Sequence, residues 1–482
     1  MGTVQAKEAP RNPIDISGLN NRRSENSPKA DSKKNAPSNK QAQPTYPAAK
    51  FKTVRARVDK VNIEGLSRTK DDIIIESIQP LFSAGDFVEV LKQAHEIRER
   101  LVGLGCFNNV RIYIDTSSGK AATPDGLEVT FHVSEMRRLT GAINTLFGSN
   151  NEGSVALSMR LPNLMGRGER IQAECSYGNR RTSNYNFGFV KPLRGRSNAF
   201  FTTSVFQHFT EQPASGYKEI DRGLLFDLAF TSAPLVRHNL QWETTWRDLS
   251  VLNRTTAFEI REMSGPSLKG SLRHILSVDR RDQAIFPRSG TLWRITTEYA
   301  GIGGNVNFLK NEAQFQANIP LSNDVVFQAT LHGGMLKSIG NTKPPSLCDH
   351  FFLGGPLSLR GFESRGVGPQ AGRNALGAST YWAGGLHLYS PLPFIKPGGF
   401  ADLFRAHLFL NAGNIGNFEF TDDYNHNLEV LGQNMRLAYG LGIAMKLGDI
   451  ARVELNYCLP HMYQRTDAIN KGLQFGIGFD FL

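Results

Sequence analysis

Residues 470–482 read Asn470-Lys471-Gly472-Leu473-Gln474-Phe475-Gly476-Ile477-Gly478-Phe479-Asp480-Phe481-Leu482. In an extended chain, Leu473, Phe475, Ile477, Phe479 and Phe481 lie on one face. Gln474, Gly476, Gly478 and Asp480 lie on the other. A period of two predicts a β-strand with one apolar and one small or polar face. A soluble sandwich shows the same period, so the number and length of such segments has to decide between the two.

Counting back from this segment, roughly sixteen alternating stretches of about 10 to 14 residues run from 139–147 to 470–482, separated by turn residues. That length suits a tilted strand crossing an outer-membrane-type bilayer. An even count lets antiparallel strands close without an open edge. From Arg138 onward no helical period and no repeated blade motif breaks the pattern. The chain has no run of eighteen apolar residues, which excludes a transmembrane helix and leaves a closed barrel as the way across. The expected fold is an all-β transmembrane barrel of about 16 antiparallel strands over residues 137–482.

Residues 51–136 read as a separate α+β domain. Val54, Ala56, Val58, Val61 and Ile63 mark a strand. Ile73, Ile74, Ile78 and Leu81 recur at helical spacing. Asp86 and Glu89 resemble a capping box opening a second helix, whose stripe is Val90, Leu91, Ala94, Ile97, Leu101 and Leu104. Two strands follow, Val110–Ile114 and Leu127–Val133. Residues 1–50 are rich in Asn, Ser, Lys and Pro and are expected to stay disordered. They carry no apolar core segment, so no secretory leader is expected and the chain reads as made in the cytosol.

The formal net charge is +11. No zinc-finger spacing or RNA-binding aromatic motif accompanies it, so nucleic acid is not expected as a partner. Basic residues facing a lumen or an anionic membrane surface account for the charge equally well. Cys106, Cys175, Cys348 and Cys458 form no Cys-x-x-Cys pair, and the histidines have no metal-ligand spacing. No Gly-x-Ser-x-Gly, HExxH or Walker motif occurs. Neither a cofactor nor an enzymatic activity is expected.

Three features are more specific. Gly354-Gly355-Pro356-Leu357-Ser358-Leu359-Arg360-Gly361-Phe362 lies in a long loop around 341–376. It resembles the hydrophobic-Arg-Gly-aromatic loop tip of the outer-membrane β-barrel assembly superfamily. Ile285-Phe286-Pro287-Arg288-Ser289-Gly290 is similar to that family's Phe-Pro-x-x-Gly stretch, and the α+β domain to a single polypeptide-transport-associated (POTRA) domain. A single such domain without a secretory leader resembles the mitochondrial branch, the central barrel subunits of the sorting and assembly machinery. Asn470, Gly472, Phe475 and Ile477 resemble a mitochondrial β-signal.

The resemblance implies an insertase for β-barrel precursors in the mitochondrial outer membrane, with the POTRA-like domain in the intermembrane space. It implies unfolded precursors, accessory subunits and membrane lipids as partners. A polypeptide-translocating pore of the same superfamily and a passive metabolite porin are the alternatives. The resemblance also implies that the loop folds into the lumen, with Arg360 in a charged pair, Gly361 allowing close approach and Phe362 anchoring the tip. Asp402 is the candidate partner of Arg360. The expected lateral seam lies between Leu139, Gly141 and Ile143 on the first strand and Gly472, Phe475, Gly476, Ile477 and Gly478 on the last. There the glycines are read as weakening the closing pair.

Overall fold

The computed structural model describes residues 3–7, 55–119, 122–147, 153–179, 182–193, 199–322, 324–340, 345–393, 399–420, 422–448, 451–478 and 481–482. The chain forms two compact units, divided near Arg137 and Arg138.

The first unit is a four-stranded sheet with two helices. In chain order it contains β1 (Thr3–Lys7), β2 (Arg57–Glu64), α1 (Asp71–Ile78), α2 (Phe87–Gly103), β3 (Phe107–Thr116) and β4 (Gly126–Glu135). The sheet order is β1-β2-β4-β3. β2 pairs parallel with β4, and β3 antiparallel with it. On α2, Val90, Ala94, Ile97 and Leu101 are buried at helical spacing and pack with Ile74, Ile78, Val61, Val129 and Phe131. This common apolar layer is what makes helices of that length stable.

Two sequence expectations change here. Asp86 occupies the N-cap of α2 without a side-chain cap bond, and Glu89 instead accepts the Gly85 N–H at 3.1 Å. Within the tail expected to be disordered, Thr3–Lys7 pairs parallel with β2. The rest of that tail lies outside the described residues.

The second unit is one antiparallel sheet of sixteen strands. Its strands are β5 (Thr140–Phe147), β6 (Gly153–Pro162), β7 (Arg170–Gly178), β8 (Ser183–Pro192), β9 (Phe200–Gln212), β10 (Tyr217–Ala233), β11 (Val236–Val251), β12 (Gly265–Asp279), β13 (Gly290–Gly304), β14 (Phe308–Pro320) and β15 (Val326–Ser338). A small hairpin within the following loop, β16 (Gln370–Ala371) and β17 (Asn374–Ala375), is not part of the wall. The wall resumes with β18 (Thr380–Ser390), β19 (Phe404–Gly416), β20 (Arg436–Leu447), β21 (Ala451–Met462) and β22 (Gly472–Gly478). Each wall strand pairs with the next, and β15 pairs with β18 across the loop.

Burial is inverted relative to a soluble protein. On β21, Glu454 and Asn456 are buried while Leu455 and Tyr457 are exposed. On β22, Gln474 is buried while Leu473 and Phe475 are exposed. Ser176, Arg247, Glu298, His387, His407 and Asn411 also face inward and are buried. Apolar outside and polar inside is the pattern of a barrel whose outer solvent is lipid. Among the described residues, no helix is long and apolar enough to cross a membrane.

Among the described residues the expected closure of the sheet is not made. Among the described residues β5 ladders only with β6, and β22 only with β21. β22 is described over Gly472–Gly478, and Phe479 and Asp480 of the segment read from the sequence lie outside the described residues. Past it the chain meets the loop rather than β5: Leu482 is fully buried and donates its N–H to the Leu357 carbonyl at 3.0 Å.

The inward loop and the last strand as candidate functional site

The loop between β15 and β18 is fixed at both ends of its course by buried charges. Near its start, the Asp349 carboxylate accepts Arg247 Nη1 from β11 at 2.8 Å, and its backbone carbonyl accepts Lys310 Nζ from β14 at 3.1 Å. Farther along, Arg365 donates to Ser215 Oγ and to the Tyr217 hydroxyl, and its guanidinium lies 3.8 Å from the centre of the Phe352 ring. Contacts from β10, β11 and β14 thus hold the stem.

The tip reaches the β19–β22 side. Arg360 is fully buried, and so is its partner Glu454. Both Nε and Nη2 of Arg360 donate to the same oxygen, Glu454 Oε2, at 3.1 and 2.8 Å. Nη1 donates to the Leu482 carbonyl at 2.8 Å. The rings of Phe409 and Phe481 lie 5.2 and 5.6 Å from the guanidinium. Asn456 Nδ2 also donates to Glu454 Oε2 at 2.9 Å, and Arg452 Nε lies 2.8 Å from Glu454 Oε1. A charge taken out of water needs this density of partners to persist.

Glu454 therefore takes the place proposed for Asp402. Asp402 sits in the short turn Gly399–Leu403 between β18 and β19, lining a cavity with Phe286, Tyr389 and Arg405. Its nearness in sequence to a strand start gave no information about which wall the loop tip reaches.

Gly361 has φ +87°, and a Cβ there would lie 3.3 Å from the Ala438 Cβ. Glycine suits both the conformation and the contact. Phe362 is fully buried in a cluster with Leu353, Leu359, Val367, Ile415 and Ala438. The backbone around it pairs with the approach to β22. Phe362 bridges Ile469, Glu363 N–H donates to Ala468 O at 2.9 Å, and Asn470 N–H donates to Gly361 O at 2.9 Å. Of the β-signal-like residues, Asn470 thus meets the loop tip. Gly472 opens β22 with φ +108°, Phe475 is exposed on the outer face and Ile477 is half-buried there.

The seam glycines need a second correction. They were read as leaving the inner face of the last strand thinly supported. Instead, a Cβ at Gly476 would meet Pro356 at 2.9 Å, and one at Gly478 would meet Leu357 at 2.8 Å. The missing side chains are the space into which the loop packs. On the other edge, Leu139 and Ile143 are exposed, and Gly141 pairs with Met159 of β6. The structure does not bring these residues into a ladder with β22 among the described residues.

Sequence reasoning missed Glu454 and Gln474. The available signal was local: in Arg452-Val453-Glu454-Leu455-Asn456 the acid falls on the inward face. In Asp279-Arg280-Arg281-Asp282, at the end of β12, Arg281 pairs with Asp279 at 2.9 Å, and Asp282 accepts the N–H groups of Arg288 and Ser289 in its own turn.

Comparison with known proteins agrees with this architecture. Residues 163–481 match the Omp85 superfamily domain. The chain is 46% identical over 430 residues to the sorting and assembly machinery component 50 homolog of Mus musculus, covering 88% of this chain and 90% of that one. It is 38% identical over 440 residues to a SAM50-like protein of Drosophila melanogaster, covering 89% and 96%. Among solved structures, BamA from Haemophilus ducreyi lacking POTRA domains 1–3 superposes with a TM-score of 0.69 at 19% identity, covering 88% of this chain and 84% of that one. That last likeness speaks for the fold. With its inward loop, sixteen-stranded wall and these relatives, the chain belongs to the Omp85 superfamily.

Proposed function

We propose that this protein folds β-barrel precursors and inserts them into the mitochondrial outer membrane through the seam between β5 and β22. The observation that carries the reading is that, among the described residues, these two wall strands share no ladder. A precursor strand entering hydrocarbon carries unpaired N–H and C=O groups, each costly there. A free strand edge already in the membrane satisfies those groups as the strand arrives, and side-chain alternation sets its register. No bond is made or broken, so no catalytic residue is required.

The exposed Leu473 and Phe475 remain in lipid whether the seam is occupied or empty. The loop keeps the lumen side of the last strand supported throughout. In this reading the α+β unit is POTRA-like, faces the intermembrane space and meets incoming precursors, and accessory subunits complete the complex. A passive metabolite porin has no use for a loop anchored to two sides of the lumen through Asp349 and Arg360.

Depletion of the protein tests the reading. Steady-state levels of several outer-membrane barrels are expected to fall while helical outer-membrane proteins hold steady. Equal loss of both classes, or of neither, overturns it.

A further inference from the structure

The inner face of β22 meets the loop through a side-chain amide that imitates a peptide group. Gln474 Oε1 accepts the Gly361 N–H at 3.0 Å, and Gln474 Nε2 donates to the Phe362 carbonyl at 2.9 Å. The side chain is 5% exposed, so both bonds are shielded from water. Cys458 on β21 adds a weak contact to the same oxygen at 3.5 Å. Below Gln474 along the strand, Pro356 and Leu357 occupy the space over Gly476 and Gly478. Above it, Asn470 N–H reaches Gly361 O. The last strand is thus braced by the loop along its inner face, whereas β5 gives its edge no ladder among the described residues.

We propose that Gln474 is a positioning residue that splints β22 to the loop tip, so that the last strand keeps its place in the wall while the seam is open. Two features of the geometry argue for this role. A glutamine in an ordinary luminal position needs only water as its partner. This one spends both its donor and its acceptor on consecutive peptide groups of one loop, Gly361 and Phe362. Its bonds also leave the buried inner face of β22 and not the strand edge that has no ladder among the described residues, so they survive when a third strand occupies that edge. An edge strand laddered on one side only, as β22 is among the described residues, otherwise frays readily.

The proposal rests on the insertase reading, since only there does an open seam have a use. Its primary test involves no precursor. The full-length protein in phospholipid nanodiscs is compared with Gln474→Ala and Gln474→Glu by amide hydrogen exchange, followed by mass spectrometry. Gln474→Ala removes both bonds. Exchange is expected to rise roughly tenfold or more together in 357–363 and 472–478, with 436–447 on β20 unchanged. Gln474→Glu keeps an acceptor for the Gly361 N–H and loses the donor to the Phe362 carbonyl. The 357–363 segment is then expected to stay closer to the parent than in the alanine variant.

Unchanged exchange in either segment overturns the proposal. An equal rise across β20 also overturns it, because that is general loosening. Failure of both variants to form a folded barrel would make Gln474 a folding determinant and would overturn the positioning role. Precursor insertion by the same variants is scored separately. A clear exchange effect with normal insertion leaves the splint standing and counts against the seam mechanism of the insertase reading.

Discussion

Arg360 on the loop and Glu454 on β21, 94 residues apart in sequence, form a fully buried ion pair in which two guanidinium nitrogens share one carboxylate oxygen. The pair joins the loop tip to the wall beside the last strand. Removing Glu454 strips both Arg360 and Arg452 of their carboxylate, and removing Arg360 leaves Glu454 with Arg452 alone; breaking a buried pair typically costs about 3–5 kcal/mol.

Arg360→Ala and Glu454→Gln are therefore expected to lower the thermal unfolding midpoint of the detergent-solubilised protein substantially. Arg360→Ala is also expected to reduce assembly of the protein itself. The double variant Arg360→Ala/Glu454→Gln should be less destabilised than the sum of the singles, because both singles remove the same Arg360–Glu454 interaction. Asp402→Asn should shift the midpoint less than Glu454→Gln. Strict additivity of the singles, or a larger effect at Asp402, would contradict the assignment.

Gly476 and Gly478 make a graded pair. At Gly476 an added methyl meets the ring of Pro356, which has little freedom to move. At Gly478 it meets the end of the Leu357 side chain, which can rotate away. Gly476→Val should displace the loop at a cost of about 1–3 kcal/mol, the usual range for overpacking. Gly478→Ala should be milder. Reactivity of a cysteine placed at Leu359, now fully buried, reads the displacement. No difference between the two positions would argue against loop packing as the reason for these glycines.

Glu135 sets a pH dependence in the α+β unit. Burial alone pushes its carboxyl up. The Thr69 hydroxyl and the backbone N–H groups of Arg68, Thr69 and Ser67 outweigh this, holding it at about 2 against an ordinary 4.5. Its Oε1 accepts Thr69 Oγ1 at 2.7 Å and Thr69 N–H at 2.9 Å. A group depressed on folding contributes stability that is fully present above its unfolded value and lost as pH falls through its folded value. The isolated fragment 51–136 is expected to fold, with helical circular dichroism, and to lose stability between pH 4.5 and about 2. Glu135→Gln should be less stable at pH 7 and flatter across that window. A random-coil spectrum would reject these boundaries, and an unchanged pH profile in Glu135→Gln would reject the role of the carboxylate.

The wall was legible because its information is local. Leu473, Phe475 and Ile477 alternate with Gln474 and Gly476 within one strand, and a period of two needs no knowledge of neighbours. The burial stripe of α2 was legible for the same reason, except at Leu91, which is exposed. What lay across the lumen was not. Glu454 went unmarked in the sequence, since nothing in its spacing from Arg360 says that the loop tip lands there. Gly476 and Gly478 were read as lost packing because a glycine does not record which residue fills its space, and Pro356 and Leu357 come from a loop 120 residues upstream of the strand by the numbering. Asp86 had the right residue type for a cap, yet its side chain makes no cap bond, so motif chemistry alone overstated the contact.

The central claim is that precursor strands enter between β5 and β22, and locking that seam tests it most directly. In a background lacking Cys106, Cys175, Cys348 and Cys458, one cysteine is placed near Ile143 and one near Ile477, and the register is scanned until a disulfide forms. The account predicts that the crosslinked protein stays folded, that precursor insertion stops, and that reduction restores it. Unchanged insertion rates with a quantitatively formed crosslink would contradict the account.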